Sequence, residues 1–337
     1  MSTPSTSDDF LELLRQDGVV QSPNATLTPL TGGVSSEICC VDDGGDVFVV
    51  KRALAKLKVR DDWFADVGRN RYERAFMEYV GGFLPEAVPA LRQSSDEHGY
   101  FAMEYLAPEF ANWKQLLLAG CCQQEHATLA GRLLGAIHRH SAGDPQAAQM
   151  FDTTPNFHAL RVESYLLTTA ARHPKIQSLI EAEAERLEST RDGLVHGDFS
   201  PKNILIHGNR MVLLDCEVAW YGDPAFDTAF LLNHLFLKAL HCGPHAVELE
   251  KMISIFWATY LAARGPACDQ REIEQRTTRL LLMLMLARVD GKSPVEYLSS
   301  EHQQVVRDFV SFQLPRGQFQ LAPLVQEWMA AINKIKA

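Results

Sequence analysis

A polar loop followed by a strand, a turn and a second strand carries residue types that could hold a metal ion and a phosphate group. The loop and first strand run from Val195 to Ile206 (VHGDFSPKNILI), and the second strand, Met211 to Leu214, leads into Asp215. The intervening His207 to Arg210 (HGNR) has turn chemistry. In a hairpin, the residue entering the first strand faces the residue leaving the second, about 5 Å away. Asn203 and Asp215 are therefore predicted to lie side by side, where an amide oxygen and a carboxylate can share Mg²⁺.

Asp198 lies on the loop that leads into this hairpin, upstream of Asn203. From there it can face the same metal and phosphate centre and accept or orient the proton of an attacking hydroxyl group. A single loop aspartate is more often a turn residue or a helix cap. The ordered set HxDxxxxN, strand, turn, strand and Asp is much more specific, and it favours phosphoryl transfer over a structural role.

These residues resemble the aminoglycoside phosphotransferase and choline kinase superfamily. The loop HGDFSPKN and Asp215 are similar to its catalytic loop and metal-binding aspartate, and Trp220 to Asp227 (WYGDPAFD) looks like its GDPxxD signature. The similarity is specific from Leu194 to Leu232 and weaker elsewhere. It implies a bilobal, protein-kinase-like α+β fold with ATP as phosphate donor.

The resemblance also implies roles for single residues. Asp198 would be the catalytic base, and Asn203 and Asp215 would be magnesium ligands. His196 and Asp227 would brace the catalytic loop.

The residues after Asp215 depart from the protein-kinase pattern, because Cys216 and Glu217 stand where protein kinases have Phe-Gly. Asp-Cys-Glu resembles the Asp-x-Glu of methylthioribose kinases more closely. Glu217 could be a further metal ligand, a surface carboxylate or the partner of a basic neighbour, and the sequence leaves these alternatives open.

Glycine and serine residues between two predicted strands could contact a triphosphate. Glycine lets the backbone approach phosphate, and serine hydroxyl and amide groups can donate hydrogen bonds to it. Gly-Gly between strands is usually only a turn, but this segment resembles the family's glycine-poor nucleotide loop. The residues expected to contact the nucleotide are Gly32, Gly33, Ser35 and Ser36.

Lys51 ends the next predicted strand, where the family's phosphate-binding lysine stands. Arg52 follows it, so a one-residue slip of register would exchange the inward-facing side chain. The lysine should pair with a helix carboxylate, either Glu73 or Glu78. Glu73 is preferred because its spacing from the next proline-containing loop resembles that of the family.

The chain changes character after Tyr105. The first hundred residues are rich in predicted strands, whereas the remainder has mostly helical spacing. This predicts a β-rich nucleotide-binding lobe over residues 1–105 and a larger helical, catalytic and substrate-binding lobe over 106–337. The backbone of Glu104 and Leu106, before this joint, resembles an adenine-binding hinge.

Composition excludes several classes of protein. A net charge of −10 disfavours binding to nucleic acid. The most apolar run, Leu280 to Ala287, is too short to cross a membrane, and the first ten residues read as a frayed tail rather than a signal peptide. Seven cysteines without a CxxC motif predict reduced thiols and a cytoplasmic location.

The sequence thus favours a kinase for a small hydroxyl compound, such as an aminoglycoside, an amino alcohol or a sugar. A protein kinase is disfavoured because HRD, DFG and APE segments are missing and Cys216 to Gly222 leaves no room for an activation loop. A catalytically weak nucleotide-binding protein is disfavoured by the intact candidate residues. The acidic surroundings of the loop favour an acceptor with an amine. The sequence does not determine the acceptor's identity, the choice between ATP and GTP, or the oligomeric state.

Overall fold

The computed structural model describes residues 6–30, 36–53 and 69–336, and the chain divides into two compact units. The first unit is Met1–Phe110 and the second is Ala111–Ala337. The sequence predicted this division earlier, after residue 105. The segment that follows the last strand of the first unit stays with that unit through Phe110, whose N–H closes a turn on Ala107 O (3.0 Å).

The first unit is an antiparallel sheet with two helices. Its elements are, in chain order, α1 (Thr6–Gln16), β1 (Thr26–Pro29), β2 (Ser36–Asp43), β3 (Asp46–Ala53), α2 (Arg69–Gly81), a 3₁₀ turn (Pro85–Ala87), β4 (Leu91–Ser95) and β5 (Tyr100–Glu104). The strand order among the described residues is β1-β2-β3-β5-β4. Strands β2 and β3 form a hairpin and pair from Ser36–Ala53 to Asp43–Asp46. Gly44 and Gly45 have the positive φ angles, 71° and 101°, that this tight turn requires.

Helix α1 begins inside the segment that was predicted to be a frayed tail, so that prediction was wrong from Thr6 onward. Phe10 and Leu14 lie one helical turn apart and are fully buried in one cluster with Val41 and Val50 of the sheet. The apolar face of this short helix, hidden among polar residues in the sequence, attaches it to the sheet.

The second unit is mainly helical. Its helices are α3 (Trp113–Leu118), α4 (Gln124–Ser141), α5 (Pro145–Met150), α6 (Thr154–Phe157), a π-helix (His158–Leu167), α7 (Thr168–Arg172), α8 (Gln177–Ser189), α9 (Ala225–His241), α10 (Ala246–Arg264), α11 (Gln270–Asp290), α12 (Ser300–Gln313) and α13 (Leu321–Lys336), with 3₁₀ turns at Pro201–Asn203, Gly243–His245 and Leu314–Arg316. The buried residues of α9 and α11 form much of its core. No helix of the described residues is long and apolar enough to cross a membrane.

Two small sheets lie within this helical unit and position the candidate site. One joins β6 (Ala111–Asn112), β8 (Ile204–His207) and β9 (Arg210–Leu213), and the other pairs β7 (Gly193–Val195) with β10 (Trp220–Gly222). The two sheets therefore fix both ends of the polar loop and the segment that carries Asp215.

Candidate active site

The hairpin of β8 and β9 has the predicted register. Ile204 pairs with Leu213, and the Leu214 N–H donates a hydrogen bond to Asn203 O (2.9 Å). Asp215 follows directly, with a positive φ of 61° that is unusual for a residue with a side chain. Asn203 and Asp215 thus leave the hairpin at the same end, as the sequence predicted from strand geometry.

The donors at this end suit a hard cation that also binds phosphate. The buried Asn203 side chain donates through Nδ2 to Asp198 O (3.1 Å), so its Oδ1 is the atom that could bind a metal. Within the described ranges, no three His, Cys, Asp or Glu side chains form a metal-binding group. One amide oxygen and one carboxylate fit Mg²⁺, which completes its shell with water and substrate phosphates.

The two oxygen atoms of the Asp198 carboxylate have different surroundings. Its Oδ2 atom lies 3.0 Å from Lys202 Nζ and 3.1 Å from Arg161 Nη2. Its Oδ1 atom is buried and has no hydrogen-bond partner among the described residues. Burial raises the pKa of this carboxyl group, but the charges of Lys202 and Arg161 outweigh it and hold the pKa well below the ordinary value. The group is therefore ionised, with one oxygen available to accept a hydrogen bond.

Arg161 is a site residue that sequence reasoning missed. It lies on the π-helix and is buried, and its Nε atom donates to Gly197 O while Nη1 donates to Leu160 O (2.8 Å). An arginine between the apolar residues Leu160 and Val162 was the available signal, since such a charge is rarely buried unless paired. π-helical turns are also frequent at functional sites.

The side chain of Asp227, on α9, accepts two hydrogen bonds from the backbone of the candidate catalytic loop. Its Oδ2 accepts the His196 N–H (2.7 Å), and its Oδ1 accepts the Gly197 N–H (3.0 Å). Gly197 has a φ of 77°, and a Cβ atom there would lie 2.5 Å from Val218 O. These contacts constitute the brace that the resemblance implied for Asp227, and they show why the loop needs glycine beside it.

His196 faces the interior rather than the reacting groups. Its Nδ1 accepts the Asp198 N–H (3.2 Å), and its Nε2 lies 3.5 Å from Cys216 Sγ. Burial lowers the pKa of this imidazole, which favours the neutral ring that the Nδ1 acceptor role requires. His196 therefore orients the backbone of Asp198.

The first aspartate of the GDPxxD segment, Asp223, is structural. Its fully buried carboxylate contacts Arg186 Nη1 (2.6 Å) and Arg276 Nη1 (3.3 Å), and it accepts the Ala225 N–H (3.0 Å) at the start of α9. It fixes the beginning of the helix that carries Asp227.

Glu217 is partly exposed, and its backbone oxygen accepts a hydrogen bond from Asn156 Nδ2 (3.0 Å). This contact fixes the backbone beside Asp215 without assigning a task to the Glu217 carboxylate. The three alternatives for this side chain stay open.

The first unit contains the predicted lysine–glutamate pair. Lys51 Nζ lies 2.6 Å from Glu73 Oε2, and both side chains are almost completely buried. Glu78 instead lies on the surface beside Arg74, with 3.5 Å between Glu78 Oε1 and Arg74 Nε. Of the two carboxylates left open by the sequence, the structure pairs Glu73 with the lysine.

The other predicted nucleotide contacts are only partly described. Gly32, Gly33 and Ser35 lie outside the described residues, whereas Ser36 is buried at the start of β2. The Glu104 N–H donates to Ala90 O (2.8 Å), so this N–H is not the group that would contact an adenine. The adenine contacts of Glu104 and Leu106 stay predictions.

The chain matches the model of a phosphotransferase enzyme family (APH) over residues 26–249. It is 23% identical over 268 residues to methylthioribose kinase of Pectobacterium atrosepticum, covering 71% of this chain and 66% of that protein. It is 24% identical over 261 residues to methylthioribose kinase of Bacillus pumilus, covering 67% and 64%. This chain thus spans slightly less than two thirds of the length of these two relatives.

Solved structures share the fold. An aminoglycoside phosphotransferase from Alicyclobacillus acidocaldarius superposes with a TM-score of 0.53 at 16% identity, covering 98% of each chain. The amicoumacin kinase hAmiN, in complex with AMP-PNP, Ca²⁺ and Ami, gives a TM-score of 0.51 at 15% identity, covering 93% of this chain and 95% of the kinase. The predicted α+β, protein-kinase-like fold class and the family resemblance are confirmed.

Proposed function

Because this chain belongs to the phosphotransferase enzyme family, we propose that it is an ATP-dependent kinase that phosphorylates a hydroxyl group of a small molecule. The observation that carries this proposal is the Asp198 carboxylate. One oxygen is held by two cations, while the other is buried and has no partner among the described residues. A hydroxyl acceptor would satisfy that second oxygen.

In the proposed reaction, Asp198 Oδ1 accepts a hydrogen bond from the attacking hydroxyl and takes its proton. The hydroxyl oxygen forms a bond to the γ-phosphorus of ATP, and the bond from that phosphorus to the bridging oxygen of ADP breaks. Asn203 Oδ1 and the Asp215 carboxylate would hold Mg²⁺, which neutralises charge on the phosphates when it is bound.

The nucleotide side of the proposal rests on the first unit. A buried lysine held by a buried glutamate is a fixed cation of the kind that kinases direct at ATP phosphates. We assign Lys51 to the phosphates and Glu73 to orienting the lysine. Contacts from Gly32, Gly33, Ser35 and Ser36 to the phosphates, and from the backbone of Glu104 and Leu106 to adenine, belong to the same proposal.

A protein kinase is the second candidate, and the structure offers it little support. The Ala219 N–H donates to Cys216 O (3.1 Å), and β10 begins at Trp220. The residues after Asp215 are thus used in a turn and a strand, so that an activation loop has no place before Asp223. A cytoplasmic location is part of the same proposal, and the absence of disulfides among the seven cysteines of the described residues agrees with a reducing compartment.

The test is a screen for ATP consumption and phosphorylated product with sugars, amino alcohols, aminoglycosides, hydroxy acids and a peptide mixture. Asp198→Asn should lower turnover of the best acceptor by about 10²–10⁴-fold while ATP binding persists. Asp152→Asn, an exposed aspartate paired with Arg191, is the matched control and should retain turnover. Wild-type turnover in Asp198→Asn, or phosphorylation of peptides alone, would refute the proposal.

A further inference from the structure

Basic side chains beyond the catalytic loop have too few acidic partners. They come from α3, α9 and α11 of the second unit, and they influence one another electrostatically. We call them the basic cluster, and its members are Lys114, His234, Lys238 and Arg288.

Lys238 is the least compensated member of the basic cluster. Its side chain is about 1% exposed and lies with Nζ 5.2 Å from the ring centre of Tyr297. Among the described residues it has no ion pair with a carboxylate. Glu296, the carboxylate whose charge acts on Lys238, is engaged by Lys114 Nζ at 2.5 Å. A buried ammonium group without a counter-ion is costly, and natural proteins rarely keep one without a use.

Arg288 carries a second uncompensated charge. Its Nη1 atom donates to Tyr165 Oη (3.2 Å) and to Ser293 Oγ (2.9 Å) and O, all of which are neutral groups. Its Nε atom is buried without a partner in the described part of the chain. The guanidinium group is therefore positioned and partly desolvated but not neutralised.

The basic cluster is continuous with the catalytic loop. Arg161, which contacts the Asp198 carboxylate, also lies 5.6 Å from the ring centre of Tyr165, and Tyr165 in turn accepts a hydrogen bond from Arg288. The charges of Asp198 and Lys238 both act on His234. Its buried Nδ1 atom has no hydrogen-bond partner among the described residues. Arg161 and Tyr165 thus connect the candidate base, Asp198, to Arg288 of the basic cluster.

The start of helix α3 also contacts the candidate catalytic loop. Asn112, which caps α3, donates through Nδ2 to Lys202 O (2.7 Å). Lys114 follows two residues later and is partly exposed, as is Arg288. A solute bound beside the catalytic loop can therefore reach the cluster from its more exposed members.

We propose that the basic cluster binds an anionic group, a carboxylate or a phosphate, on the hydroxyl compound that Asp198 activates. This inference rests on the proposed kinase function and specifies its substrate class, a small hydroxylated acid or polyol phosphate. The anion supplies the counter-charge that Lys238 and Arg288 lack. The structure thereby favours the opposite charge to the amine that the acidic composition suggested.

The experiment uses four six-carbon polyols that differ only at one end. They are D-gluconate (carboxylate), sorbitol 1-phosphate (phosphate), sorbitol (neutral) and 1-amino-1-deoxysorbitol (ammonium). Dissociation constants are measured by calorimetry at pH 6.5 without nucleotide, for the full chain and three variants. Lys238→Met and Arg288→Met remove cluster charges, and Lys251→Met removes an exposed lysine of α10 as the matched control.

At least one anionic probe should bind ten times more tightly than sorbitol and the amine. Lys238→Met and Arg288→Met should each remove most of that tenfold preference, and Lys251→Met should keep it. The carboxylate and phosphate probes decide between the two anions. Lys238→Met should not lower the melting temperature at pH 6.5, because methionine fills similar space without a buried charge, so lost binding cannot be attributed to unfolding.

Three results would overturn the inference: neutral or ammonium probes binding as tightly as the anions, an anion preference that survives both cluster variants, or no anion binding at millimolar concentration. Phosphoryl transfer is measured separately. An enzyme that phosphorylates only neutral or cationic compounds would retain the kinase function and lose this inference. Anion binding without any phosphorylated product would retain the anion site and count against the kinase function.

Discussion

At the scale of single residues, Asp198 combines burial with two neighbouring cations. Lys202 and Arg161 keep the carboxylate ionised in surroundings that would otherwise protonate it. Such a group is a weak base in the ground state, so in the proposed reaction its main contribution would be to hold and orient the acceptor hydroxyl until the proton becomes acidic during transfer. The same cations contact only Oδ2, so that Oδ1 is left to accept a hydrogen bond.

The proposed metal site gives a prediction for Asp215. Asp215→Ala should abolish the tightening of ATP binding by Mg²⁺, because this carboxylate supplies the main protein charge facing the ion. Fluorescence titration with an ATP analogue, with and without Mg²⁺, measures the effect. Asp192→Ala, an exposed aspartate paired with Arg276, is the control and should preserve it. A full Mg²⁺ effect in Asp215→Ala would show that the hairpin end is not the metal site.

Lys238 makes anion binding dependent on pH. Burial, followed by the charges of Lys114 and Arg288, lowers the pKa of its ammonium group from 10.5 to about 7, opposed by Cys242 and Glu296. Below pH 7 the lysine is charged, and above it the charge is lost in the free protein. The dissociation constant of the anionic probe should therefore rise by up to tenfold per pH unit above 7. In Lys238→Met this dependence should disappear, as calorimetry between pH 6 and 9 can check.

The same shift has a consequence for stability with a definite sign. Between pH 7 and 10.5 the unfolded chain holds a proton on Lys238 that the folded chain does not, so this group makes folding more favourable as pH rises. The stability advantage of Lys238→Met over wild type should thus be largest below pH 7 and shrink toward pH 10. A constant difference across that range would contradict the buried, uncompensated lysine.

At the scale of elements, α9 serves two parts of the unit. Near its start, Asp227 binds the backbone of the catalytic loop, and farther along the helix His234 and Lys238 belong to the basic cluster. The spacing of Asp227, His234 and Lys238, seven and then four residues, puts them on one side of the helix. A single rigid element therefore sets the distance between the candidate base and the proposed anion site.

Helix α1 gives a prediction about an element that the sequence did not reveal. Phe10 is fully buried, its ring centre lies 6.1 Å from that of Tyr100, and the Arg52 guanidinium lies 4.0 Å above it. Phe10→Ala should lower the free energy of unfolding by about 3–5 kcal/mol, the usual cost of emptying such a position. Chemical unfolding measures it. The adjacent, exposed Asp9→Ala should change it by no more than about 0.5 kcal/mol, and equal effects would mean that α1 does not pack as described.

At the scale of the whole molecule, net charge and the proposed anion site favour acceptors of opposite charge. The value of −10 predicts attraction of cations at long range, but salt screens exposed charges beyond roughly 8–10 Å. A bound acceptor instead experiences the buried groups around it, where the dielectric is low and Lys238 and Arg288 dominate. The proposed anion site therefore gives local charge more weight than composition.

The cysteines give a prediction for the entire chain. All seven lie among the described residues and none forms a disulfide, so alkylation under denaturing conditions without reduction should add seven groups by mass spectrometry. Breaking native disulfides would lower stability. Because the described residues contain none, the melting temperature should be the same with and without reductant. A disulfide would leave two cysteines unalkylated and lower the mass of that pair by two hydrogen atoms. This result, together with a melting temperature that changes with reductant, would refute the prediction of seven reduced cysteines.

The sequence was informative where chemistry is local. The hairpin register, the catalytic loop and the change from strands to helices follow from spacing within short segments, and they were predicted. Arg161 and Lys238 were not, because the groups around them are distant in the chain: the catalytic loop for Arg161, and Lys114 and Tyr297 for Lys238. Lys238 is near the end of α9, where a basic residue ordinarily only complements the helix dipole, and only packing reveals that it is buried.

The π-helix that carries Arg161 has a consequence for how this segment can vary in length. Hydrogen bonds in such a helix span one residue more than in an α-helix. Deleting one residue from His158–Leu167 would change this winding and with it the rotation of the following part of the helix relative to the preceding part. Arg161 and Tyr165 could then not both keep their partners. Insertions and deletions here, more than substitutions, should change which compound is phosphorylated.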